Sequence, residues 1–224
     1  MYAFPYVGVH LLAGKDKARY FFLFVVLNFT AYFTIQYLTA THQYDFLVEF
    51  DHLVPLMPQF IWIYHSIVPI SFVTMIFVIN SKELFFTTFW SCVLAAIVLC
   101  ICYILFPSFY PRPEVEVSNL SSYLLKLTHT FDRPNNTFPS GHVTFTWLMF
   151  WAARETKMAK EINFFGSLYL LWALGVSMST LVLKQHYLVD VVSGIVLSFC
   201  SFYCIKGLFK NGIMDRILNV ENQK

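Results

Sequence analysis

The chain has 224 residues, of which 58% are hydrophobic and only 12% charged, where a soluble domain carries about twice that charged fraction. This excludes an ordinary soluble domain and predicts an all-α integral membrane protein. The net charge of +2, with no basic block interleaved with aromatics, excludes nucleic acid as a partner.

Residues 1–14 are aromatic and too short to span, so they read as an interfacial or loosely ordered lead-in. Lys15-Asp16-Lys17-Ala18-Arg19 then runs directly into a full-length apolar stretch from Tyr20 to Ala40, not into a short h-region with a small-residue cleavage site. The first span is therefore expected to be retained. Thr41 to Gln59 is polar and closed by Pro55 and Pro58. The second span is Phe60 to Ile79, broken or bent near Pro69, and the third is Leu84 to Phe106. The tight connection Asn80-Ser81-Lys82-Glu83 makes these two an antiparallel pair.

Pro107 to Phe138 is the longest non-apolar stretch, and a loop of that size is more often functional than idle. Within it, Asn119 to His129 predicts a short amphipathic helix on the membrane surface. Span four is Pro139 to Ala153, with an extension to Lys157 allowed; span five is Ile162 to Leu183, and span six runs from near His186 to near Phe209. The expected fold is six transmembrane helices in one bundle, with the interfacial helix between spans three and four. One domain covers 1–224: a core at 51–209, a lead-in at 1–19 and a tail at 210–224. Cys92, Cys100, Cys102, Cys200 and Cys204 all sit in apolar runs without ligand spacing, and read as small buried hydrophobes.

Six spans put both termini on one side. The terminal segments and the connections on that side carry 11 of the 15 basic residues, leaving Arg112, Lys126, Arg133 and Lys184 opposite. The positive-inside rule places the termini in the cytoplasm. Two stretches with chemical character then both face outward.

The first is Thr137-Phe138-Pro139-Ser140-Gly141-His142, at the mouth of span four. Pro139 suits a helix start, and Ser140 and Gly141 leave backbone N–H groups open to an anion, with His142 beside it. The second is Lys184-Gln185-His186-Tyr187-Leu188-Val189-Asp190, where His186 and Asp190 share a helix face at i, i+4. Two histidines and an orienting carboxylate around an anion cradle point to phosphoryl transfer. The rival readings are half of a metal site, a helix start with His142 incidental, a loop arginine at Arg112 near headgroups, and a snorkelling Lys184. His42, His52, His65 and His129 read as structural or interfacial.

Arg112-Pro113, Pro139-Ser140-Gly141-His142, and Ser179 followed by His186 and Asp190 resemble the three motifs of the type 2 phosphatidic acid phosphatase and vanadium haloperoxidase superfamily. Asp51, Pro55, Pro58, Trp62, Tyr64, Ser66 and Pro69 are similar to the second-span pattern of its branch that includes inositol phosphorylceramide synthases. The resemblance covers roughly Asp51 to Gly194. It implies that His186 is the nucleophile on phosphorus, that Asp190 orients it, and that His142 is the general acid for the leaving alcohol. Ser140, Gly141 and Arg112 would hold the equatorial oxygens, and no metal or other cofactor would be needed. Where the family carries a Lys seven residues before its Arg, this chain has Leu105, and where it carries an Arg six before its His, this chain has Thr180. Lys184 is the nearest replacement cation, with Arg133 second.

The leading expectation is a lipid phosphate phosphatase acting on a phosphomonoester or pyrophosphate at the outer face through a phosphohistidine. A lipid headgroup phosphotransferase is the alternative enzyme, and a membrane binding protein with a silent site the alternative without chemistry. The expected partners are a phosphorylated lipid and membrane lipids, and a homo-oligomer is compatible with both enzyme readings. The expected place is the bacterial inner membrane with the site toward the periplasm, or an organelle membrane with the site toward the lumen in a eukaryote.

Overall fold

The first described helix, α1 (Gly14–Leu38), begins six residues before the expected span. The structure is a computed structural model that describes residues 12–39 and 44–214; the lead-in through residue 11, Ala40, His42 and the tail from 215 lie outside them. All regular elements among the described residues are helical, with two isolated bridges, Tyr44 with Ser108 and Phe109 with Asn135.

After a short helix α2 (Glu49–Leu53) and a 3₁₀ turn (Pro58–Phe60), the second apolar segment is broken, as α3 (Ile61–His65) and α4 (Ile67–Val73) followed by a π turn (Thr74–Val78). The break expected near Pro69 falls at Ser66. Restarting the helix at Ile67 places Pro69 in a first turn, where its missing N–H leaves no intrahelical bond unmade. Ser66 Oγ donates to the Ile63 carbonyl and accepts from Trp172 Nε1 at 2.9 Å, so the break is held from a distant helix. Lys17 closes the far end, donating to the carbonyls of Ile76 and Ile79.

Ser81 then caps α5 (Lys82–Leu105), accepting the Leu84 N–H. The long loop carries α6 (Leu120–Phe131), whose cap Asn119 accepts the Ser122 N–H while Ser122 Oγ accepts the Asn119 N–H. Such a reciprocal cap marks a helix start in sequence and is worth about 1 kcal/mol. Leu125 on α6 is fully buried against Ile61, Tyr64 and Leu183. Helix α7 (Gly141–Glu155), short α8 (Lys157–Glu161), α9 (Asn163–Val182) and α10 (Leu188–Lys210) complete the chain.

Five segments are long and apolar enough to cross a membrane: Gly14–Leu38, Pro58–Val78, Lys82–Leu105, Phe164–Val182 and Leu188–Lys210. This marks the chain as a membrane protein. The expected fourth span is α7, at 15 residues. It rises about 22 Å, less than the roughly 30 Å of a bilayer core. It is not one of those five segments, and it lies inside them, packed on α5, α9 and α10. Tryptophan N–H groups tie it there: Trp147 to Ser177 Oγ at 3.0 Å on α9, and Trp151 to Ser198 Oγ at 3.1 Å on α10. Interhelical hydrogen bonds of this kind contribute about 0.6–2 kcal/mol each in a membrane.

The helices alternate in direction, so the ends of α1, α5 and α9 and the starts of α3, α7 and α10 gather at one end of the bundle. The two sequence motifs meet there.

Candidate active site

The turn between α9 and α10 must reverse the chain within a few residues. Lys184 takes the left-handed conformation to do it, at φ 57°, which is unfavourable for a residue with a long side chain and persists only when neighbours over-determine it. Three contacts do so. Arg112 Nη1 donates to the Lys184 carbonyl at 2.8 Å, Lys184 Nζ donates to the Asp51 carbonyl at 3.0 Å, and Asp51 Oδ1 accepts the Leu188 N–H at 2.9 Å. The buried Asp51 carboxylate thus caps α10 from 137 residues away in sequence. Burial holds the Lys184 ammonium below its ordinary pKa, with the Asp51 charge acting the other way. In this arrangement Lys184, expected as a phosphate ligand, is a brace for the turn.

His186 sits on that turn, buried. Its Nδ1 lies 2.9 Å from the Thr137 carbonyl and 3.5 Å from Asp190 Oδ2. Both neighbours are acceptors in their ordinary states, so Nδ1 carries the proton and Nε2 keeps its lone pair, the arrangement a nitrogen nucleophile needs. The backbone carbonyl is the nearer partner. Asp190, expected as the orienting group, shares that task and also accepts the Tyr187 N–H at 2.9 Å, fixing the first turn of α10.

The Pro139-Ser140-Gly141-His142 stretch enters α7 with Ser140 as its cap, Oγ accepting the Val143 N–H. The Ser140 N–H, expected to face an anion, donates to the Asp190 carbonyl at 3.0 Å. It joins the two motifs instead of holding a ligand. The donors that the helix start leaves without intrahelical acceptors are those of Gly141 and His142. His142 stacks on Tyr64, with ring centroids 4.1 Å apart and the Tyr64 hydroxyl 3.3 Å from its Nδ1. The His142 and His186 rings are 6.2 Å apart, close enough for one phosphoryl group to touch both.

Three sets of residues here were not singled out from sequence as site residues. Ser108 Oγ lies 3.0 Å from the Thr137 N–H, 2.8 Å from the Phe138 N–H and 2.7 Å from Thr137 Oγ1, so one buried hydroxyl anchors the strand-like entry to α7. Tyr64 belonged to a span pattern without a role. From α1, Tyr32 and Gln36 hold Asp132 Oδ1 at 2.7 and 3.0 Å, and Asn135 Nδ2 reaches the Gln36 carbonyl at 2.7 Å. Arg133, the second replacement cation, lies over Tyr37 and is exposed. His65 bonds Thr128 and His129 bonds the Leu183 carbonyl; burial pushes His129 down to about 4, so it stays neutral.

One close approach sets the distance between the two motifs. A Cβ on Gly194 of α10 would lie 2.9 Å from the Ser140 carbonyl oxygen and 3.2 Å from Val143 Cβ. Gly194→Ala gains about 1 kcal/mol of helix propensity, but overpacking against backbone costs about 1–3 kcal/mol. We expect a lower unfolding temperature and a marked loss of turnover, since Ser140 must move away from Asp190. Unchanged stability and turnover would show that the contact is soft.

The histidines form one end of a cavity of about 490 Å³. Tyr32, Tyr64, Tyr103, Asp132 and Asn136 lie with them, and its remaining walls from α1, α4, α5 and α7 are mostly apolar. An apolar groove of about 680 Å³, lined by Val98, Phe138, Pro139, Leu188 and Val192 among others, lies on the opposite side of the Pro139 turn.

Among known proteins, the profile of the PAP2 superfamily matches residues 50–204. No curated protein and no solved structure matches the chain significantly. Members of this superfamily are generally phosphatases acting on phosphate esters, an activity class that suits two histidines set across an open helix start. The match spans well over half of the sequence, including Arg112, His142, His186 and Asp190, and the chain belongs to the PAP2 superfamily.

Proposed function

We propose that this protein is a lipid phosphate phosphatase, and that it removes phosphate from a lipid phosphomonoester or pyrophosphate through a phosphohistidine on His186. One observation carries the reading: His142 and His186 stand at the polar end of an otherwise largely apolar cavity inside a membrane-embedded bundle. A phosphate placed between them would have the rest of its molecule in hydrocarbon surroundings, which only a lipid tolerates. His186 Nε2 attacks phosphorus, the Gly141 and His142 N–H groups and Arg112 take up charge on the equatorial oxygens, and His142 gives a proton to the departing oxygen. Water then opens the phosphohistidine with His142 acting as base. The route as drawn uses only this chain's own side chains and backbone N–H groups. The test is phosphate release by the purified protein from a panel of lipid phosphates in excess EDTA. Release that EDTA leaves intact supports the reading; release from none of them, or release that returns only with added metal, counts against it.

A second reading is a phosphotransferase, favoured by the groove beside Pro139 and Leu188, where an acceptor lipid could approach the same phosphohistidine. A labelled lipid phosphate supplied with ceramide or diacylglycerol separates them: free labelled phosphate marks the hydrolase, label on the acceptor lipid the transferase.

We read α7 as a sixth crossing, buried within the other five, and α6 as lying on the membrane surface over the site. The charge bias puts the site on the outer face, periplasmic or lumenal. Cysteines introduced at exposed Glu116 and Lys126 should react with an impermeant reagent added outside, and those at exposed Lys82 and Lys160 should not. The reverse pattern would turn the site inward.

A further inference from the structure

The cavity is deeper than a phosphate requires. On α5 its lining runs from Tyr103 to Phe89, about 21 Å at the rise of a helix, against roughly 15 Å for the hydrocarbon of one leaflet. Toward its far end it is walled by Phe21, Met75, Cys92 and Met149, all buried and all part of one packed core, and on α5 it stops at Phe89, which packs against that core. Its volume falls in the range of sites that take one ligand of modest size, not a pair of lipid chains. Near the histidines its wall includes Phe29, Phe33, Val68 and Phe131, which are 43%, 46%, 43% and 74% exposed. There the chamber opens sideways, between α1 and α4 and below α6, toward the hydrocarbon of the membrane.

We propose that a single hydrocarbon chain of the substrate leaves the bilayer through this side opening and lies inside the bundle, with Phe21, Met75, Cys92 and Met149 setting the longest chain accepted. The inference rests on the lipid phosphate reading for the identity of the head that sits between the histidines. What it adds is the location of the chain and the means by which length is measured. Burying an apolar chain in an apolar chamber gains little over leaving it in lipid, so affinity is not the purpose. The gain is in position: a chain threaded to that far end fixes how far its phosphate can sit from His186. A chain too long for the chamber would hold its phosphate short of the histidines.

The wall carries two depth markers. Cys100 and Cys92 both line the chamber on α5, eight residues and about 12 Å apart, while Cys200 and Cys204 are exposed on the outside of α10. The test uses the full chain in neutral-lipid vesicles, with N-ethylmaleimide modification followed at each cysteine by mass spectrometry. The probes are hexylphosphonate and hexadecylphosphonate, which have no ester bond to hydrolyse. Hexadecylphosphonate should slow modification of both Cys100 and Cys92 several-fold, hexylphosphonate should slow Cys100 alone, and neither should change Cys204. Hexadecylphosphonate that inhibits phosphate release yet leaves Cys92 unprotected would overturn the inference and leave the phosphatase reading intact. Protection of Cys92 in a protein that releases phosphate from no lipid would do the opposite. As a second measure, Cys92→Phe should raise the ratio of kcat/KM for short over long chains by about tenfold. A variant that only folds poorly would lower both alike, and an active variant with an unchanged ratio would again overturn the proposal.

Discussion

Phosphate release falls to background in His186→Ala, a loss of about 10⁴-fold or more, and no choice of leaving group restores it. The reason is geometric. The Thr137 carbonyl and Asp190 hold the proton on Nδ1 of His186, so Nε2 is the only nucleophile that the turn between α9 and α10 presents. His142→Ala behaves differently. It removes a proton donor, a contribution of about 10²–10⁴-fold for a poor leaving group and far less for one that departs as a stable anion. An aryl phosphate with an activated phenol should therefore recover much of the His142→Ala loss and none of the His186→Ala loss. Equal recovery in both variants would mean that the two histidines have been given the wrong roles.

Ser108→Ala should be the most damaging change outside the histidines and Asp190, although Ser108 does not line the cavity. Its hydroxyl oxygen takes the N–H groups of Thr137 and Phe138 in a fully buried place. Removing it leaves one buried and one partly buried donor unmet, at about 1–3 kcal/mol for the buried one and less for the other. The same segment supplies the carbonyl that orients His186, so the loss should appear in kcat more than in KM, together with a lower unfolding temperature. A variant that is destabilised but keeps its kcat would show that the Thr137 carbonyl is held by something else.

The motifs and most of the helices were legible in the sequence because their signals are local. Pro139 announces a helix start by residue type, and the apolar runs from Lys82 to Leu105 and from Leu188 to Lys210 are long enough to name themselves. The second span shows the limit of that logic. Pro69 does signal a break, but where the helix stops depends on Ser66 being met by Trp172 from α9, a contact no local pattern contains. The stretch expected as the fourth span forms a helix of only 15 residues that lies within the bundle, and burial of that kind is a property of packing.

At the site, residue types singled out His142, His186 and Asp190, while hydrogen-bond partners had to come from the fold. Whether Ser140 N–H faces an anion or the Asp190 carbonyl depends on how closely α10 approaches α7, which Gly194 sets. Ser108 stands in Phe106-Pro107-Ser108-Phe109, with no spacing that marks it. Lys184 was noticed for its charge and proves to matter through its backbone as well, at a φ of 57° with its carbonyl on Arg112.

The central claim is a covalent phosphoryl group on His186. A lipid carrying radiolabelled phosphate, mixed with the enzyme for less than one turnover and quenched in alkali, where phosphohistidine survives, tests it directly. Label should appear on the peptide that contains His186, decay at the rate of phosphate release, and be absent from His186→Ala. Phosphate released at the normal rate with no label on the protein at any time, or label on a different residue, would contradict the account.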